Sequence, residues 1–200
     1  MAIRQLAIPT DESGFKVELA YLERWSPSAG PGSPLTFLAR GDDTAGVGEA
    51  GDGDLGEGES ESVASRYRRN LPLYRRDFGE LLGDRAYELV LSPPSRRADL
   101  EPYRREIVAR GIARTDLSDR LRRTGHATSR GQSFDQLIDA FAFEGDDALA
   151  GAKSLLIVDD YFVTGRTAAA LLSILRSQGF PSDGQVTVAC PLWVDHGATK

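Results

Sequence analysis

The chain holds one cysteine, one methionine and two histidines in 200 residues. The lone Cys190 excludes an internal disulfide and any cysteine-based zinc site, and its apolar surroundings in the sequence mark it as a small core residue. His126 and His196 are too few for a histidine metal cluster. No stretch is long and apolar enough to span a membrane as a helix, and the opening MAIRQLAIPTDESG lacks the apolar core of a secretory signal. The expectation is a soluble, cytoplasmic protein. Lysine is also scarce. The basic residues are nearly all arginine, which genome composition often produces and which therefore discriminates little. Residues 41–62, GDDTAGVGEAGDGDLGEGESES, have no positive charge at all and carry eight acids. Removing those eight negative charges from the formal −6 leaves about +2, so the remainder of the chain is mildly basic. The same segment lacks the apolar surface that offsets ordering entropy. It is expected as a disordered loop or tether, with an acidic binding role as the alternative.

Two hundred residues suffice for one domain with a sizeable core and a small appendage. The informative stretch is Ser154 to Gly179, SLLIVDDYFVTGRTAAALLSILRSQG. Leu155 to Val158 form a short continuous apolar run, as in a parallel strand buried on both faces. Asp159 and Asp160 follow, then Tyr161-Phe162-Val163 and the turn Thr164-Gly165-Arg166-Thr167. From Ala168 the period becomes helical, with Leu171, Ile174 and Leu175 on one face, and Gly179 and Pro181 mark the stop. Strand, loop and helix in that order bind phosphate for a physical reason. Backbone N–H groups of the loop converge, and the helix start adds a positive dipole end. Gly165 permits close approach, and Thr164 and Thr167 supply hydroxyls. Carboxylates at the carboxyl end of the strand, where open α/β sheets bind ligands, accept hydrogen bonds from sugar hydroxyls. The combination suits a ribose 5-phosphate. A phosphoacceptor receiver domain is excluded because too little chain follows Asp160. A Walker-type loop is excluded because no Gly-Lys-Ser/Thr follows the glycine.

The run LLIVDDYFVTGRT resembles the phosphoribosyl-diphosphate (PRPP) signature of the type I phosphoribosyltransferase superfamily: an apolar strand, two acids, three variable residues, then Thr-Gly-x-Thr. The resemblance covers roughly residues 85–195 and is concentrated in 154–167. It implies an α/β fold with a parallel sheet of about five strands, helices on both faces and right-handed crossovers. Residues 85–200 would form that domain, and residues 1–84 a small β-containing appendage. It also implies Mg²⁺-dependent transfer of phosphoribosyl from PRPP to a nitrogen acceptor, with release of pyrophosphate. Asp159 and Asp160 would hold the 2- and 3-hydroxyls and steady positive charge on the ring. Val163, Thr164, Gly165, Arg166 and Thr167 would hold the 5-phosphate. No residue is implied as a direct metal ligand. A non-catalytic PRPP- or nucleotide-binding module acting on a partner protein is the alternative, and a homodimer is open.

Other segments take places in this scheme. Tyr87 to Leu91 reads as the first core strand. Ser92-Pro93-Pro94-Ser95-Arg96-Arg97 then stands where the superfamily's pyrophosphate loop falls, with hydroxyls and guanidinium groups suited to a dianion. A Pro-turn with surface arginines is the alternative. Ala98 to Arg110 is helical, with Leu100, Tyr103, Ile107 and Val108 on one face, and Ile112 starts a second core strand. Leu121 to Ser133 corresponds to the superfamily's mobile loop, with Arg122, Arg123 and Arg130 as the candidates for its pyrophosphate contact. His126 is an acid–base candidate there or simply solvated. Phe134 to Phe143 is ambiguous in period. Residues 121–160 look most like the competence-associated branch, although the N-terminal cysteine zinc module of that branch is missing. Gln185 to Cys190 is the last strand, and Trp193 near its end either stacks on the acceptor or packs. Towards the N-terminus, Phe15 to Ala39 reads as two strands around a Pro/Gly/Ser loop. Ser65 to Asp77 is basic with two tyrosines; a solvated surface is preferred there over nucleic-acid contact. Phe78 to Asp84 is a short helix ending at Gly83.

Overall fold

The strand predicted from the apolar run is β7 (Ser154–Val158), and its last four residues are all buried. Leu155 and Ile157 enter one core while Leu156 and Val158 enter another, as the two-residue period of a strand requires. With no solvent face, every position must be apolar, so the run is continuous rather than alternating. The computed structural model that shows this describes residues 2–8, 15–25, 76–94, 101–124, 133–145 and 147–194. The expected strand at 35–39, the acidic segment 41–62, most of the basic segment 65–77 and both histidines lie outside the described residues.

β7 lies between β3 (Tyr87–Leu91) and β9 (Gln185–Val194), parallel to both. β4 (Ala113–Asp116) flanks β3 in parallel, β2 (Phe15–Trp25) flanks β9 in parallel, and β1 (Ala2–Ile8) closes that edge antiparallel to β2. The order is β1-β2-β9-β7-β3-β4. The α/β class and the run of five parallel strands agree with the sequence. One of those five, β2, comes from the N-terminal part of the chain. It pairs with β1 and β9, so the hairpin seen is β1–β2, set by the register Ala2↔Tyr21 to Ile8↔Phe15.

Helices cover both faces. On one side, α1 (Glu101–Ala109) and the helical residues 76–82 pack Tyr103, Ile107, Phe78 and Leu82 onto Val90, Leu156 and Ala189. Phe78 meets Tyr103 edge-on at 5.3 Å. Val108, expected on this face, is exposed; it follows Ile107 by one residue, 100° around the helix, and turns to solvent. Gly83 and Gly111 end the two helices with φ of +53° and +70°, which glycine adopts without strain. On the other side lie α2 (Phe134–Asp139), α3 (Ala148–Gly151) and α4 (Arg166–Ser177). Ambiguous Phe134–Phe143 resolves into α2 followed by β6 (Phe141–Phe143). Ser133 and Gln136 cap α2 reciprocally. β6 pairs antiparallel with β5 (Leu121–Arg123), so the polar stretch from Leu121 opens as a strand, because Leu121 and Phe141 are buried together.

Candidate functional site

The ladder between β7 and β9 is interrupted where the two aspartates stand. Val158 pairs with Ala189, and the Asp159 N–H donates to the Ala189 carbonyl at 3.0 Å. Pairing resumes only at Tyr161 opposite Leu192, in the short strand β8 (Tyr161–Phe162). Asp159 and Asp160 therefore leave the sheet opposite Cys190 and Pro191. Residues of a parallel strand bond alternately to its two neighbours, so Pro191 turns to the same side as Ala189, towards the gap. A residue without an N–H suits a place where the ladder is open.

Both aspartates are half-buried. Burial first, then the adjacent charge of Asp160, pushes the Asp159 carboxyl well above the usual carboxylate range. The Asp160 N–H donates to Asp159 Oδ1 at 2.9 Å and opposes that shift. Burial, then Asp159, likewise raises the fully buried Cys190 thiol. A carboxyl pair in this state gains from positive charge brought beside it.

Beyond β8 the chain bends through Val163, Thr164 and Gly165 into α4. The helix starts at Arg166, two residues before the alanine run, because Gly165 is its N-cap at φ +75°, ψ 3°. This left-handed residue provides no side-chain cap, so the first-turn N–H groups of Arg166, Thr167 and Ala168 have no acceptor within the helix. Val163, Arg166 and Thr167 are half-buried, Thr164 is exposed and Gly165 is buried. The buried face Ala168, Ala169, Leu171, Leu172 and Leu175 fixes α4 on the sheet. Each such leucine contributes roughly 1.5–3 kcal/mol. Val163 to Thr167 and the carboxyl pair thus share one end of the sheet.

At the carboxyl end of β3, Ser92 and Pro93 are buried and Pro94 is half-buried; Ser95, Arg96 and Arg97 lie outside the described residues. The Ser92 N–H donates to Ser118 Oγ at 2.9 Å, and the Ser92 hydroxyl reaches it at 3.4 Å. Ser118 donates through its hydroxyl (2.6 Å) and its N–H (2.9 Å) to Asp116 Oδ1, while Arg104 holds Asp116 Oδ2 at 2.8 Å. This chain anchors the start of the 92–97 loop to β4 and α1. Sequence reading passed over Ser118, Asp116 and Arg104. The available signal was Asp116-Leu117-Ser118, the spacing of an Asx-turn.

Arg122 and Arg123 lie on β5. Arg122 pairs with Glu144 at 2.9 Å, and Arg123 stands over the Phe141 ring at 5.7 Å. Arg130 lies outside the described residues. Trp193, on β9, is buried, edge-on to Tyr21 at 5.1 Å, with the Arg24 guanidinium 4.8 Å above its ring. The last strand runs on to Val194, four residues beyond Cys190. Among the described residues no three acids, histidines or cysteines group as a metal site, and no helix is long and apolar enough to cross a membrane.

No family model matches the chain, and no curated protein does. Among solved structures it is similar to adenine phosphoribosyltransferase from Thermoanaerobacter pseudethanolicus, at 15% identity and a TM-score of 0.43, over 66% of this chain and 84% of that one.

Proposed function

We propose that this protein binds PRPP and transfers its phosphoribosyl group to a nitrogen acceptor, releasing pyrophosphate. One observation carries the reading. Two adjacent half-buried carboxylates interrupt the sheet beside a helix start opened by left-handed Gly165. Asp159 and Asp160 accept from the ribose 2- and 3-hydroxyls. Val163 to Thr167 hold the 5-phosphate, through the loop and first-turn N–H groups and the two threonine hydroxyls. Binding energy from the remote phosphate is thereby used to orient the anomeric carbon. As the bond to pyrophosphate breaks, positive charge grows on the ring. Asp159, whose ionised form is disfavoured in the free protein, is stabilised by that charge. Ser92, held by the Ser118 anchor, and Pro93 to Arg97, which follow it in the sequence, are assigned to the pyrophosphate, with Arg122, Arg123 and Arg130 as candidates for a further contact.

The oxygen donors of Asp159 and Asp160 are of the type that suits Mg²⁺, which keeps several waters and takes its remaining oxygens from substrate phosphates. When bound, the ion would neutralise the leaving pyrophosphate. Trp193 packs in the core and borders the acceptor side only through its place near the end of β9.

The test is pyrophosphate release from PRPP and Mg²⁺ across a panel of amine, pyrimidine and purine acceptors. Release with one acceptor, lost in Asp159→Asn and Asp160→Asn, supports the transferase. PRPP binding without release on any acceptor points instead to a regulatory PRPP-binding module. Absence of PRPP binding removes both readings.

A further inference from the structure

A concavity among the described residues lies at the other end of the sheet from the aspartates. It has a volume of about 680 Å³, within the ~300–1,000 Å³ of small-molecule sites. Its walls are the starts of β2, β3, β7 and β9, the last turn of α4 and the turn before β9. Nothing in the transferase reading uses it. We propose that this cleft binds a phosphate group, free or carried on a small metabolite.

The charges decide the sign of the ligand. Glu18 is committed: Arg85 pairs with both its oxygens, and the Thr187 hydroxyl, itself accepting from Tyr87 Oη at 3.0 Å, reaches it at 3.2 Å. Arg85 and Glu18 therefore cancel. Lys16 is exposed and forms no ion pair with the described residues. The Arg176 guanidinium stands over the Phe15 ring at 4.5 Å and donates to the Ser182 carbonyl at 3.0 Å, and its Nε is buried with no acceptor. Asp183 opposes these two cations, and the carboxyl-terminal end of α4 offsets part of the Arg176 charge. A net positive spot remains on a chain of formal charge −6. A guanidinium stacked on an aromatic ring beside an exposed ammonium is the chemistry that recognises an oxyanion. The cleft and the aspartates occupy opposite ends of both β7 and α4, separated by about 18 Å of helix.

Amide chemical-shift titration of the full chain with inorganic phosphate separates the two places. Lys16, Gln185 and Thr187 report the cleft, and Gly165 and Thr167 report the proposed 5-phosphate loop. Saturable shifts at the cleft amides are expected. Lys16→Gln and Arg176→Lys should each weaken them about threefold, and Asp183→Asn should tighten them about threefold, the scale of partly exposed ion pairs. Asp183 and Lys16 are exposed, so those variants keep the fold. Absence of shifts at the cleft, or weakening by Asp183→Asn, overturns the proposal whatever happens at Gly165. Glycerol 3-phosphate tighter than inorganic phosphate assigns a carried phosphate; equal affinity assigns the free ion.

Discussion

Among the described residues, Asp159 stands in an environment far from that of an ordinary carboxylate. Its carboxyl is raised by burial and by Asp160, so the folded protein holds a proton that the unfolded chain releases. Between the ordinary carboxylate range, about pH 4, and the raised value, stability therefore falls as pH rises, and above that window the full penalty applies. Asp159→Asn removes this dependence. The variant should show a flatter melting temperature from pH 4 upward and be at least as stable as the parent above neutrality, while PRPP binding weakens about tenfold or more through loss of a charged acceptor. Calorimetric melts and titrations of both proteins measure this; a destabilised variant with unchanged PRPP affinity contradicts the assignment. Val163 supports a second prediction. In the 6-oxopurine branch of the type I phosphoribosyltransferases, from which this signature departs, the residue before Thr-Gly is an acid that handles the purine N7 proton. Valine moves no proton, so hypoxanthine and guanine should be poor acceptors beside an amine or a pyrimidine. Turnover of either purine at about 10 per second, a usual enzyme rate, would refute this.

At the scale of elements, α4 is both the fastening of one core and the cradle of the proposed phosphate. Gly165 adopts φ +75° at its start, a conformation that costs a residue with a Cβ about 1–2 kcal/mol. Gly165→Ala should therefore lower stability by about that amount and weaken PRPP binding more than it weakens magnesium pyrophosphate binding, since only PRPP carries the 5-phosphate. Equal losses for both ligands would place the 5-phosphate elsewhere. Much of this element was legible. Apolar spacing and the Gly179-Pro181 stop located the helix, and only its first two residues were missed, because capping by a left-handed glycine leaves no mark in hydrophobic period. β8 was not legible. Tyr161 and Phe162 form a strand because β9 continues past Cys190 and offers Leu192 and Trp193 as partners, a non-local condition. The Ser92–Ser118–Asp116–Arg104 chain joins residues from three segments, and only its Asx-turn portion is local.

At the scale of the whole molecule, the N-terminal strands decide how the sheet is completed. β2 places Val17, Leu19 and Tyr21 in one core and Ala20 and Leu22 in the other. A fragment of residues 85–200 would expose β9 along the length that β2 covers, together with the apolar residues beneath it. It is expected to lose the cooperative thermal transition of the full chain. A fragment that melts sharply near the parental temperature would show that the sheet from β9 to β4 is complete without β2.

The sequence alone determined whatever depends on short range. The buried β7, the carboxyl pair at its end, the glycine turn, α4 and its stop all lie within twenty-six consecutive residues, and their periods and turn residues state their conformations directly. Tertiary structure decided whatever depends on which segments meet. It brought β2 beside β9, turned the start of an expected loop into β5 by giving it β6 as partner, and buried Trp193 against Tyr21 and Arg24. It also gathered Lys16, Arg85 and Arg176 around one cleft. Strand pairing and charge clustering are set by contacts between residues far apart in the chain, and neither periodicity nor spacing encodes which of the available partners the packed core will choose.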